Sequence, residues 1–201
     1  MIANRRLTLL AGTIGIGSVL NACDLGGNKP KFNHTDITGA DFGRTLELTD
    51  SSGKRCKLAD FNGKLVIVFF GFTQCPDICP TTLLETSKAL KTLGADSDRV
   101  QVVFVTLDPE RDTPAVLSKY VPAFDSRFIG LYGNLDETKK AAREFKVFFE
   151  KVPGQTPGTY TIDHTAASYV FDTQGRIRLF IKHGQPTEWL AADLKTLLAQ
   201  S

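Results

Sequence analysis

The chain predicts an α/β fold in which parallel β-α-β units are followed by an antiparallel hairpin and a closing helix. Three observations carry this. Leu65 to Phe70 is a continuous apolar run, as a strand covered on both faces requires, and Val100 to Leu107 reads as a second buried strand. Between them Leu83, Leu84, Ser87 and Leu90 recur at helical spacing, and Gly94 ends the pattern. Near the C-terminus, Ala167 to Asp172 and Arg176 to Ile181 flank Thr173-Gln174-Gly175, a turn signal between two strands.

The elements follow in order. Phe42 to Asp60 reads as a β-hairpin turning at Asp50-Ser51-Ser52-Gly53, and Lys64 to Gly71 as a central buried strand. Pro80 to Leu93 is a helix, and Val100 to Leu107 is a second buried strand. Asp112-Thr113-Pro114 opens another helix, with Asp112 or Thr113 as N-cap and a proline in the first turn. Arg127 to Leu131 is a short strand and Leu135 to Phe145 a helix. Val147 to Asp163, with two prolines and two glycines, reads as an irregular loop. The last hairpin is followed by a helix over Thr187 to Leu198, with Thr187 as N-cap. Hairpin, β, α, β, α, β, α, loop, β, β, α is the order of a thioredoxin-like fold. It carries an N-terminal β-hairpin and an inserted irregular loop before the last hairpin.

The N-terminus belongs to a different class. Arg5-Arg6 precede the weakly charged run Leu7 to Leu20, as in a secretory signal, and the run is too short to span a bilayer comfortably. Leu20-Asn21-Ala22-Cys23 resembles a bacterial lipobox, which predicts a signal peptide over 1–22 and lipidation of Cys23. Asp24 directly after it points to retention at the inner membrane. Residues 23–40, rich in Gly, Asn, Lys and Asp, read as a lipid-anchored flexible tether, and 41–201 as the folded domain. Without residues 1–22 the net charge falls from +2 to zero. The chain has no basic block and no aromatic–basic interleaving, so nothing in it points to nucleic-acid binding, and a monomer is the default.

The chemistry lies in Cys75 and Cys79. They sit in Gly71-Phe72-Thr73-Gln74-Cys75-Pro76-Asp77-Ile78-Cys79-Pro80, at the end of a central strand where open α/β sheets place their sites. Both are expected near the first turn of a helix, whose N–H groups and dipole favour thiolate. Four residues apart on one helical face, their Cα atoms would lie about 6 Å apart, within disulfide range. The pair is therefore either a redox dithiol or two legs of a soft-metal site. Cys56, on a strand of the first hairpin, reads as a buried inert thiol.

Of the three histidines, His34 falls in the tether and His183 in a surface turn. His164 precedes the strand Ala167 to Asp172, at the place in a thioredoxin-like sheet that faces the thiols and that in redox members carries a cis-proline. Residues 164 to 168 contain no proline. Two thiolates and an imidazole suit copper or zinc over magnesium or calcium. Three ligands satisfy Cu(I), whereas structural zinc would want four. Asp163 is placed either to orient the ring or as an exposed loop acid. Asp108 and Arg111 either shape the rim of the site or fix the start of the next helix.

With these residues in view the chain resembles the Sco/SenC family of copper-binding assembly factors for cytochrome c oxidase. The segments that carry the resemblance are Phe70 to Pro80, Leu107-Asp108-Pro109-Glu110-Arg111-Asp112-Thr113, and Asp163-His164-Thr165 leading to Tyr169. The resemblance implies a mononuclear copper site of Cys75, Cys79 and His164, one ion per chain. It also implies delivery of copper, or of reducing equivalents, to the binuclear copper centre of an oxidase subunit. Other partners of that chemistry are a second periplasmic copper chaperone or a thioredoxin-like reductase. Against metal delivery stands an enzymatic reading, a thiol–disulfide oxidoreductase with Cys75 as nucleophile and Cys79 resolving. The absent proline and the presence of His164 favour metal delivery.

Overall fold

The computed structural model describes residues 30–200. The signal peptide expected over 1–22 and the lipidation expected at Cys23 fall on residues outside those described. The described part is built on one eight-stranded mixed sheet, with a separate two-stranded ribbon. Among the described residues no helix is long and apolar enough to cross a membrane.

The strands are β1 (Thr35–Asp36), β2 (Glu47–Asp50), β3 (Arg55–Lys57), β4 (Leu65–Gly71), β5 (Val100–Thr106), β6 (Ile129–Tyr132), β7 (Phe149–Pro153), β8 (Tyr160–His164), β9 (Ala167–Phe171) and β10 (Ile177–Lys182). The helices are α1 (Ile78–Leu93), α2 (Pro114–Tyr120), α3 (Leu135–Glu144) and α4 (Thr187–Leu198). The large sheet runs β1-β10-β9-β4-β5-β6-β2-β3. Strand β4 is its centre: every residue is buried, it pairs parallel with β5 from Leu65↔Val100 to Gly71↔Thr106, and antiparallel with β9 through Phe69↔Ser168. A parallel β4–β5 pair needs a crossover, and α1 supplies it. The apolar run that predicted β4 is unbroken because every residue of that strand is buried, and in β5 all but Gln101 are buried. Phe70, Phe145, Tyr169 and Phe180 form a chain of aromatic contacts, with centroids 5.1–5.6 Å apart. Truncating one such ring to alanine costs about 3–5 kcal/mol.

Helix ends follow the residues that allow them. α1 stops where Gly94 takes φ 60°, and α2 starts at Thr113, whose hydroxyl accepts the Val116 N–H. α3 starts in a reciprocal box, Asn134 Oδ1 accepting Glu137 N–H and the Glu137 carboxylate accepting Asn134 N–H.

Four expectations need correction. Residues 31–40 are not a free tether: β1 pairs with β10, and Asp193 of α4 accepts hydrogen bonds from the Asn33 and His34 amides at 2.9–3.1 Å. His34, expected in that tether, is buried with its Nδ1 2.7 Å from Asp193 Oδ2. The stretch Val147 to Asp163 is not irregular but a β-hairpin, β7 against β8 in register Phe149↔His164 through Pro153↔Tyr160. Finally, the N-cap of α4 is Pro186 rather than Thr187. The N-terminal and C-terminal hairpins and the thioredoxin-like order stand as read.

Candidate metal centre

Strand β4 delivers the chain to Gly71 at the carboxyl edge of the sheet, and the turn Phe72 to Asp77 leads into α1. Cys75 lies in that turn, not on the helix, while Cys79 is the second residue of α1. The expectation of two thiols on one helical face is corrected accordingly. The Cys79 N–H donates to the Cys75 sulfur at 3.4 Å, so a free amide of the helix start is turned on that thiol.

The two sulfurs differ in exposure. Cys75 is half-buried; Cys79 is fully buried. The Cys79 sulfur sits against Gly71, where an added Cβ would fall 2.8 Å from it and 2.9 Å from the Phe104 ring. Burial pushes the Cys79 thiol well above the ordinary range, and the neighbouring Cys75 adds to the rise, against a lowering by the Phe72 backbone. Helix-start activation therefore does not make Cys79 a thiolate by itself. A bound cation would.

His164 is the last residue of β8. Its Nε2 lies 3.5 Å from the Cys79 sulfur, and its Nδ1 lies 3.1 Å from the Thr165 carbonyl oxygen. A carbonyl only accepts, so Nδ1 carries the proton and Nε2 presents its lone pair to the sulfurs. The rings of Phe72 and Phe69 stand edge-on at 5.9 and 6.3 Å. Burial in this apolar setting lowers the imidazole pKa below 6.5, keeping the ring neutral, the form that ligates. The donor atoms of Cys75, Cys79 and His164 all lie within 4.8 Å of one another, the one such group among the described residues. An open groove of about 510 Å³ reaches Cys75 and His164, lined also by Phe72, Pro76, Phe148 and Asp163.

The other anticipated residues sit as follows. Asp163 is exposed on β8, and the ring's oriented nitrogen is held by Thr165, not by Asp163. Asp108 is fully buried and accepts from Arg111 Nε and from the Tyr160 hydroxyl at 2.8 Å. Cys56 is buried away from this centre, as expected. His183 is half-buried, with Nδ1 2.8 Å from the Thr82 hydroxyl of α1. Sequence reasoning missed Tyr160 and Thr165. A signal for the first existed: Tyr160-Thr161-Ile162-Asp163 alternates apolar and polar residues after a glycine-bearing turn, as one strand of a hairpin does.

A donor set of two sulfurs and one imidazole, reached from one open side, can hold a soft cation three-coordinate and release it to competing thiolates. Alternatively, the dithiol can exchange with a disulfide. Comparison with known proteins narrows the choice. A SCO1/SenC family model matches residues 34–199. A SCO2-like protein of Rickettsia felis is 38% identical over 142 residues, 70% of this chain and 68% of the relative. The copper-bound structure of Bradyrhizobium japonicum ScoI is 41% identical and superposes with a TM-score of 0.71, covering 79% of this chain and 99% of that one. Copper-bound yeast Sco1 is 31% identical, with a TM-score of 0.73 over 81% of this chain and 91% of its own. A family match spanning nearly all the described residues, over a cysteine–cysteine–histidine centre on the same fold, makes this chain a member of the SCO1/SenC family.

Proposed function

We propose that the protein is a copper carrier. It binds one copper ion through Cys75 Sγ, Cys79 Sγ and His164 Nε2 and passes it to the binuclear copper centre of a cytochrome c oxidase subunit. The observation that carries this reading is the convergence of three soft-to-borderline donors within 4.8 Å, with the histidine already neutral and already turned toward sulfur. The copper-bound state of two relatives on the same fold supports the choice of metal. The oxidase as acceptor rests on the family resemblance of the three motif segments. Transfer proceeds by ligand exchange: an acceptor thiolate enters through the groove and displaces the half-exposed Cys75 first, since Cys79 is sealed beneath Gly71. We further propose that Cys23 anchors the domain by lipid at the outer face of a bacterial inner membrane.

A second reading, reduction of the acceptor's cysteines, is favoured by the exposure difference of the thiols. Cys75 would attack the acceptor disulfide and Cys79 would resolve the mixed disulfide. The acceptor then holds two thiols, and this chain a Cys75–Cys79 disulfide, which a thioredoxin-like reductase must reopen. The raised Cys79 pKa slows that resolution. His164→Ala separates the readings. The carrier reading expects loss of copper binding and of oxidase maturation together. Retained maturation in His164→Ala alongside its loss in Cys75→Ser would assign the function to thiol exchange.

A further inference from the structure

The loop joining β5 to α2 touches both halves of the centre. Asp112, buried, accepts the Thr73 N–H at 3.0 Å, the Thr73 hydroxyl at 2.5 Å and the Thr106 hydroxyl at 2.6 Å. It thereby fixes the turn that carries Cys75. Asp108 faces the other way, to the β7–β8 hairpin that carries His164, through the Tyr160 hydroxyl. Arg111 closes the circuit. Its Nε donates to Asp108, and its Nη1 donates to the Tyr160 carbonyl at 2.9 Å and to the Gln74 side-chain oxygen at 3.1 Å. Its guanidinium carbon lies 3.7 Å from the centre of the Tyr160 ring and 5.9 Å from that of Phe72. On the outer side, Lys151 Nζ lies 4.5 Å from the same Tyr160 ring and pairs with Glu110 at 2.7 Å.

A two-stranded ribbon does not hold its place unaided. In β7 and β8 one residue alone, Ile162, is fully buried. At the His164 end the two strands are tied to each other by Phe148 and Thr165: the Phe148 amide donates to the Thr165 hydroxyl at 3.1 Å and the Thr165 amide to the Phe148 carbonyl at 3.0 Å. At the Tyr160 end the ties to the body are the Tyr160 hydroxyl on Asp108, the Lys151–Glu110 ion pair and Arg111, and of these Arg111 is the one that bonds the ribbon's backbone. We propose that Arg111, seated on Asp108, is the positioning residue that holds the β7–β8 hairpin, and with it His164, at ligating distance from the two sulfurs. The inference rests on the reading of Cys75, Cys79 and His164 as a metal centre. A planar fork is required: one side bonds the carboxylate while the other bonds the Tyr160 carbonyl and Gln74, with the plane stacked on the ring. A lysine carries its three donors on one nitrogen, so it neither spans these separated partners as the fork does nor stacks a plane on the ring.

The test uses reduced full-length protein with Arg111→Lys, Tyr160→Phe and the double variant Arg111→Lys/His164→Ala. The first measurement is amide exchange in the metal-free state. We expect the amides of 149–152 and 160–164 to exchange about tenfold faster in Arg111→Lys, with β4 and β5 unchanged. Tyr160→Phe keeps the stacked ring and loses one hydroxyl bond, and should give a smaller change in the same amides. The second measurement is Cu(I) affinity by chelator competition: about tenfold weaker in Arg111→Lys, with no further loss when it is added to His164→Ala. Unchanged hairpin exchange in both single variants would overturn the proposal. So would additive losses in the double variant, because Arg111 would then act elsewhere than through His164. Native copper binding that ignores His164→Ala would instead sink the metal-centre reading. The exchange measurement, made without metal, would still decide whether Arg111 holds the hairpin.

Discussion

Two histidines of this chain have the same half-environment and opposite consequences. His164 and His34 each present Nδ1 to an oxygen acceptor, the Thr165 carbonyl at 3.1 Å in one case and Asp193 at 2.7 Å in the other. Their second nitrogens part company. His164 Nε2 faces the Cys79 sulfur at the end of an open groove. His34 Nε2 is buried with no hydrogen-bond partner among the described residues, and Trp189 stands edge-on at 6.2 Å. Orientation of an imidazole by its Nδ1 partner is thus no mark of a ligand. What distinguishes a metal-binding ring from a fastening one is what waits at Nε2. His34 fastens the N-terminal strand to α4, because Asp193 also takes the Asn33 and His34 amides.

The largest effect that could break this contrast is on copper. His164→Ala should weaken copper binding at least a hundredfold, removing one of three ligands, while His34→Ala leaves it within about twofold; chelator competition measures both. Equal losses would mean that the two rings do not differ in kind. Next comes stability, where the order reverses. Asp193→Ala strands buried donors on residues 33 and 34 and should cost the metal-free protein about 1–3 kcal/mol in urea denaturation. His164→Ala should cost under about 1 kcal/mol. Gly71→Ala should disturb both properties at once, because its Cβ meets the Cys79 sulfur and Phe104 below 3.0 Å. We expect about 1–3 kcal/mol of destabilisation together with weakened copper binding, read by denaturation and competition in parallel.

The smallest effect is in pH. Burial sets the folded pKa of His164 below 6.5, so the unfolded chain binds the proton more readily. This group's share of metal-free stability is complete above pH 6.5 and is lost as pH falls from there toward the folded value, at up to about 1.4 kcal/mol per pH unit. His164→Asn should flatten that part of the profile in denaturation measured between pH 8 and 5. A native profile identical to that of the variant would show the ring to be solvated.

The same contrast explains how much was legible in the sequence. The β4–α1–β5 unit was readable because buried parallel strands leave predominantly apolar runs, and Cys75, Cys79 and His164 because a thioredoxin-like order fixes which strand start faces which helix start. His34 was not. Its neighbours are polar and flexible in composition, and its partner Asp193 lies 159 residues away, with nothing local to announce the pairing. The β7–β8 hairpin is hidden in the sequence by Pro153, Gly154, Pro157 and Gly158, of which the last three stand in its turn and Pro153 is the final residue of β7. Asp108, Arg111 and Asp112 were readable as a motif but not as a scaffold. Their partners Thr73, Gln74 and Tyr160 come from two separate segments that fold onto the loop. The thiolate expectation failed at Cys79 for a related reason: the helix-start argument is local, whereas the seal of Gly71 and Phe104 over the sulfur is tertiary.

The central claim is that Cys75, Cys79 and His164 form one copper site. Its most direct test is an anaerobic Cu(I) titration of the reduced protein against a competing chelator, native beside His164→Ala and His34→Ala. The account predicts one tightly held equivalent in the native protein and in His34→Ala, and loss or severe weakening in His164→Ala. Binding that is weak in the native protein, or indifferent to His164, would contradict it.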